Sequence, residues 1–352
     1  MEVVTGALKD YAWGVVDGLV PWCEPTAAAQ AELWFGAHRA GASPLVRDPD
    51  RSLADLPVHD GMPLVKLLAA SAPLSIQVHP DAARAATGFA ADRAKPHAQR
   101  RYSDDAEKAE MVVALTPFDA HAGWRDPTDA ADVLRRAGAA PGIVDVVHHA
   151  DRSEAVRALL SLSSAETEPV ERQLVPAAVA ARWQPSEVSA LARVAATHPR
   201  DTGVLVTVLL QHFQLQPGTA LAVPAGVVHS YVSGIALEVM TSSDNVLRLG
   251  LTPKPIAVAD ALAAIRTDRS PLLLAESDHM SPIQMPFSVQ LLDARMTVTA
   301  AAGHHRVVLC LAAGCDVAGV ALAPGQAAVL PPGDPDVLVA AAGRAVVVTG
   351  SS

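Results

Sequence analysis

A chain of 352 residues, half of them hydrophobic and 18% charged, can bury a large core and divide into two or three domains. Its formal charge of -10, with no basic run longer than a pair such as Arg100-Arg101, argues against a nucleic-acid partner. No apolar run is long enough to span a bilayer, Met1 to Trp13 lacks a basic-then-apolar leader, and Cys23, Cys310 and Cys315 form neither a disulfide framework nor a Cys-x-x-Cys knuckle, so a cytoplasmic protein with reduced thiols and no membrane contact is expected.

From Met1 to about Pro73, short apolar runs broken by Gly and Pro predict short strands and turns. Leu74 to Asp81 then reads Leu-Ser-Ile-Gln-Val-His-Pro-Asp. Alternate residues of a strand share a face, so Ser75, Gln77 and His79 are expected on one side and Leu74, Ile76 and Val78 on the other, in a core. The apolar stretch Pro63 to Pro73, interrupted only by Lys66 among charged residues, points to interior sheet. Asp81 to Arg93 has Ala-rich helical composition, Lys95 to Lys108 reads as a loop, and Met111 to Leu115 as a strand.

From Asp126 to about Thr197, Ala, Leu, Glu and Arg recur, and Asp126-Pro127, Ser153 and Pro185-Ser186-Glu187 have helix-start signatures. A further helix is expected within Asp201 to Gln211. Strands resume near His212, where Pro217-Gly218 and Pro224-Ala225-Gly226 flank a short strand at Thr219 to Val223 and deliver His229. Pro324-Gly325 and Pro331-Pro332-Gly333 repeat that arrangement with the same offsets, and Asp336 stands at the position of His229.

Gln77, His79, Glu110 and His229 together offer two nitrogens and two oxygens, a mixed set suited to a borderline divalent ion such as zinc. Spacing alone leaves open that they are structural residues among thirteen histidines.

Leu74 to Asp81 with Pro63 to Leu68, Tyr11-Ala12-Trp13-Gly14, Glu32 to His38, Pro217 to Tyr231, Glu238-Val239-Met240 and Ser243 to Lys254 resemble, in order, segments of type I mannose-6-phosphate isomerase, the phosphomannose isomerase family of the cupin superfamily. The resemblance runs from Tyr11 to Lys254. It implies a mainly β fold with a helical insertion: a discontinuous catalytic cupin jelly-roll barrel (1–125 and 201–265), a helical insertion (126–200) and a C-terminal cupin-like barrel without metal (266–352). It also implies one Zn2+ per chain on Gln77, His79, Glu110 and His229, and a phosphorylated sugar substrate, with a monomer favoured. Arg248, Glu238 and Lys108 are the implied catalytic residues, Glu238 being the first candidate for the base. Ser75, Lys66 and Lys254 are expected at the phosphate, and Trp13, Glu32, Tyr231 and Asp244 elsewhere in the pocket.

Two departures stand out. Glu107-Lys108-Ala109-Glu110 replaces the family's usual His-Lys-Pro-Glu, and Ala12 stands where an acid is common. A catalytically silent sugar-phosphate binder and an iron-dependent cupin oxygenase are the competing readings.

Overall fold

The computed structural model describes residues 1–57, 61–96, 99–254 and 256–351. It is mostly β, with eight α-helices among the described residues.

One 11-stranded sheet carries Leu272–Leu274, Ala220–Val223, Glu110–Ala114, His229–Met240, Leu64–Ala70, Glu32–Phe35 and Ala7–Lys9 in that spatial order, with further strands branching from it. An 8-stranded sheet carries Phe287–Leu292, Ala345–Gly350, Arg306–Cys310 and Gln326–Leu330. Sheet membership cuts across the boundaries expected from the sequence. Glu2–Thr5 pairs with Gln326–Leu330, Pro44–Leu45 and Asp48–Ser52 follow it into the 8-stranded sheet, and Leu272–Leu274 pairs back onto Ala220–Val223.

The two-residue period of the larger sheet does two jobs at once. Val65, Leu67, Met111, Val113, Leu237 and Val239 face Val289, Val307, Val329 and Val348 of the 8-stranded sheet in one apolar core. Their sequence neighbours Lys66, Glu110 and Glu238 therefore point away from that core. The second sheet thus forms a dry backing for the polar face of the first.

Both halves of the chain use the same pairing scheme. Glu110–Ala114 lies between Ala220–Val223 and His229–Met240, and Arg306–Cys310 lies between Gln326–Leu330 and Ala345–Gly350. Glu110 stands opposite Val223 and Arg306 opposite Leu330, and these two partners are themselves equivalent in the Pro-Gly repeat. The second unit therefore has a fully buried arginine where the first has Glu110. Arg306 Nη1 donates to the carbonyls of Ala300 and Pro335, both at 2.9 Å, and Nη2 to those of Pro331 at 3.1 Å and Asp334 at 2.9 Å. Asp336 accepts from the Ala302 amide at 2.7 Å.

The helical block consists of Pro127–Arg136, Pro141–His149, Arg152–Leu160, Ser164–Ala180 and Pro185–Thr197. Asp126 caps the first through the Thr128 amide, and Pro185 occupies a first-turn position. The third starts two residues ahead of the expected cap: Asp151, not Ser153, accepts from the Glu154 amide. The helix expected within 201–211 is only Gly203–Thr207, and a strand begins at Leu210. That stretch is buried throughout and rich in valine, which favours a short helical turn leading into the strand over a long helix. The loop expected at 95–108 is irregular, and its residues 97–98 lie outside the described set.

The strand expected at 74–79 is only Ile76–Val78. Ile76 and Val78 enter the core shared with the helices, whereas Leu74 packs on a different cluster beside Trp13. The Leu74 amide donates to the Tyr231 carbonyl, and Ser230 Oγ donates to the Leu74 carbonyl, so this end is held by side contacts outside the ladder.

His121 is buried opposite His212 and its Nδ1 has no partner among the described residues. Burial, reinforced by His212 and Arg125, pushes its pKa down to about 3. An unfolded histidine takes a proton near pH 6.5. As pH falls from there toward 3, the unfolded chain binds a proton that the folded chain refuses, and stability declines. The expected contribution at pH 5 is about 2 kcal/mol. Denaturant titrations at pH 7 and pH 5 should show His121→Gln losing about that much less stability than the wild type on acidification.

Candidate active site

A cavity of about 580 Å³ opens on the polar face of the larger sheet, lined at its floor by Gln77, Lys108, Glu110, His229 and Tyr231 and at its rim by Tyr11, Trp13 and Lys254. Glu110 is the hub. Its Oε2 lies 3.0 Å from His79 Nε2 and 3.1 Å from Lys108 Nζ, and its Oε1 lies 2.9 Å from His229 Nε2. The Tyr231 hydroxyl donates to the same Oε1 at 2.7 Å. All three of His79, Glu110 and His229 are buried, and their donor atoms lie within 4.8 Å of one another.

The chemistry of this donor set fits a metal. His79 Nδ1 donates to the Asn245 carbonyl at 2.7 Å and His229 Nδ1 to the Val227 carbonyl at 3.1 Å. Each ring is thereby held in the tautomer that leaves the Nε2 lone pair facing Glu110, the usual arrangement behind a ligating imidazole. Burial, together with the Lys108 charge, drives the His79 pKa down to about 3, so the ring is a neutral donor near pH 7. Burial would raise Glu110, but Lys108, His79 and His229 outweigh it and hold the carboxylate well below its ordinary range. Gln77 pairs opposite His229 and donates its amide nitrogen to Ser75 Oγ at 3.1 Å, which leaves its carbonyl oxygen available.

A second charged row crosses the neighbouring strands. Lys66 stands opposite Glu238 on one side and Trp34 on the other. Its Nζ lies 2.9 Å from Glu238 Oε2, 3.6 Å from Glu32 Oε1, and 4.7 Å from the centre of the Trp34 ring. Trp34 in turn donates to Glu32 at 2.8 Å. Glu238 thus pairs with Lys66. Burial favours neutral Lys66, but two carboxylates on one ammonium keep it protonated, with its pKa raised. Glu238 is raised as well, because burial and the negative charges of Glu110 and Glu32 outweigh the pull of Lys66.

Toward the rim, Arg248 and Lys254 form no ion pair with any described residue, and burial lowers the pKa of both, in Lys254 with help from Arg248. Arg248 is set beside the Ile76–Val78 strand by its pairing opposite Gln77. Asp244 bonds His38 at 3.2 Å. Tyr11 and Trp13 stack with centroids 5.7 Å apart.

The cavity is lined by all the residues named from the sequence except His79, which is buried behind the lining in contact with Glu110. It also includes several that sequence reasoning missed. Trp34 and Tyr11 lie inside the recognised segments without an assigned role; Asn245, buried behind the lining in the segment after Met240, orients His79. Thr197 and His198 arrive from the end of a helix whose sequence carries no motif. The altered residue Glu107 does not line the cavity; its carboxylate accepts from the Ala82 amide at a helix start.

A family model described as phosphomannose isomerase type I, catalytic domain, matches residues 58–127. The mannose-6-phosphate isomerase of Escherichia coli (strain K12) is 32% identical over 302 residues, covering 77% of this chain and 76% of that protein. That of Salmonella typhimurium is 30% identical over 98% of both. The chain belongs to the type I phosphomannose isomerase family. As a member it is an enzyme, an isomerase. Solved structures agree: a lysine-to-alanine mutant of phosphomannose isomerase from Salmonella typhimurium superposes with a TM-score of 0.85 at 28% identity, and a mannose 6-phosphate isomerase bound with zinc and yttrium also with 0.85 at 26%, each covering 100% of both chains.

Proposed function

We propose that this isomerase interconverts mannose 6-phosphate and fructose 6-phosphate, with one zinc ion per chain held by Gln77, His79, Glu110 and His229. The observation that carries the reading is the cavity's polarity: a neutral-histidine and carboxylate cluster at the floor and two unpaired cations, Arg248 and Lys254, toward the mouth. A bound zinc would supply Lewis acidity toward the sugar oxygens.

The chain's own groups do the rest. Glu238, with its raised pKa and its position fixed by Lys66, moves the proton between C2 and C1 through an enediol. Arg248 stabilises the oxyanion that develops on the sugar. Lys108 holds Glu110 and offers an ammonium to a sugar oxygen. Ser75 and Lys254 take the phosphate, and Trp13, Tyr231, Glu32 and Asp244 shape the pocket around the sugar. Lys66, between two carboxylates, acts by placing Glu238, with any contribution to the phosphate through its charge alone.

The same reading takes each β unit as a cupin-type barrel. Residues 1–125 and 201–265 form the metal-holding unit with 126–200 inserted, and 266–352 form the other, with Glu2–Thr5 exchanged into it. It also assigns the enzyme to the cytoplasm; no described helix is long and apolar enough to cross a membrane.

A coupled isomerisation assay of zinc-loaded protein, with and without chelator, tests the proposal alongside a metal count. Activity is expected to need zinc at one ion per chain and to return on adding it back. Binding of mannose 6-phosphate without turnover would make the chain a silent binder. Iron content with oxygen uptake would make it an oxygenase.

A further inference from the structure

The helical block rejoins the catalytic sheet through one turn, His198 to Gly203, between helices Pro185–Thr197 and Gly203–Thr207. This turn bonds to both segments that carry the anion-binding side chains. On one side His198 Nε2 donates to the Pro73 carbonyl at 3.1 Å, two residues before Ser75. On the other, Asp201 accepts from the Gly203 amide at 2.8 Å and from the Thr252 amide at 3.3 Å, two residues before Lys254. Gly203 packs directly on Gly250: a Cβ there would come within 2.9 Å of the Gly250 Cα. The turn is itself tied to helix Ser164–Ala180 by the Arg200 amide, which donates to Glu171 at 2.8 Å.

These contacts lie where the sheet ladder stops. Pairing of Ile76–Val78 with Leu247–Gly250 fixes Gln77 against Arg248, but Ser75 and Lys254 are beyond its ends. Leu251, which links the two cations, has φ 55, a conformation costly for a branched side chain and kept only where neighbours hold it. His198 also lines the cavity, and its Nδ1 has no partner among the described residues.

We propose that His198 and Asp201 are positioning residues for the phosphate end of the substrate. They clamp Pro73 to Ser75 against Gly250 to Lys254, and so set the spacing of the Ser75 hydroxyl and the Lys254 ammonium to one phosphate monoester. The helical block, which supplies no catalytic group, thereby acts on affinity for the phosphate. This rests on the isomerase reading above.

The test uses zinc-loaded full-length protein carrying His198→Ala, His198→Gln, Asp201→Ala or Asp201→Asn. It measures KM and kcat for mannose 6-phosphate, Kd for inorganic phosphate, and zinc content. Each alanine variant should raise KM and the phosphate Kd about tenfold, the loss of one well-placed hydrogen bond, with kcat within about twofold and zinc unchanged. His198→Gln, which keeps a donor near Nε2, and Asp201→Asn, which keeps one acceptor, should recover most of the affinity. The proposal is overturned if the alanine variants bind phosphate as the wild type does, if kcat falls at constant KM, or if the conservative variants are as impaired as alanine. Wild-type protein that binds phosphate but does not isomerise would defeat the functional reading alone, while the phosphate constants still decide the role of the turn.

Discussion

Arg248→Ala is expected to lower kcat by about 10²–10³ while zinc content and fold stability stay at wild-type levels. The expectation follows from the unpaired state of the guanidinium: no described carboxylate or carbonyl depends on it, so truncation orphans no buried partner. Under the proposed function, what is lost is a permanently charged donor to the sugar's developing negative charge, an interaction that would strengthen toward the transition state. His229→Ala should behave differently. It removes one imidazole from the Glu110 cluster, and zinc content and activity should fall together. Metal analysis beside steady-state kinetics for the two variants separates the roles. Zinc loss in the arginine variant, or full zinc with normal kcat in the histidine variant, would defeat this division of labour.

Much of this site could be read from residues because strand alternation is local. The two-residue period around Gln77 and His79 is visible in eight letters, and the polar-apolar alternation of Lys66, Glu110 and Glu238 with their neighbours follows from the same geometry. The partner of Glu238 could not be read that way. Lys66 meets it only through the register of Leu64–Ala70 with His229–Met240, strands separated by more than half the chain's length before Met240, and nothing in either segment fixes that register alone. His198 was hidden for a related reason, being one polar residue at the end of an Ala-rich helix whose function depends on what the turn after it touches. Sheet membership of Glu2–Thr5 is likewise a long-range fact, since its partner Gln326–Leu330 lies near the other end of the chain.

Arg306→Met should destabilise the protein by about 3–5 kcal/mol, the usual scale for stripping a buried charged group from its partners. Four carbonyls, from Ala300, Pro331, Asp334 and Pro335, converge on one guanidinium in a fully buried position, and methionine satisfies none of them. Arg306→Lys should recover only part of the loss, because a single ammonium cannot span acceptors arranged for a planar fork. The repeat of Pro217-Gly218 at Pro324-Gly325 suggested two related units and drew attention to Asp336. It could not reveal Arg306 as the counterpart of Glu110, because the helical block lies between Glu110 and Val223 and has no equivalent between Arg306 and Leu330. Only the strand register shows it. In the first unit buried charge is gathered at a carboxylate among metal-capable donors; in the second a cation gathers backbone carbonyls and closes the same end of the sheet with protein atoms alone. Urea midpoints for the two variants, with zinc content measured on the folded fraction, decide the matter: a drop of less than about 1 kcal/mol for Arg306→Met would show that the carbonyls find other partners, and loss of zinc from folded protein would show that the two units are not independent.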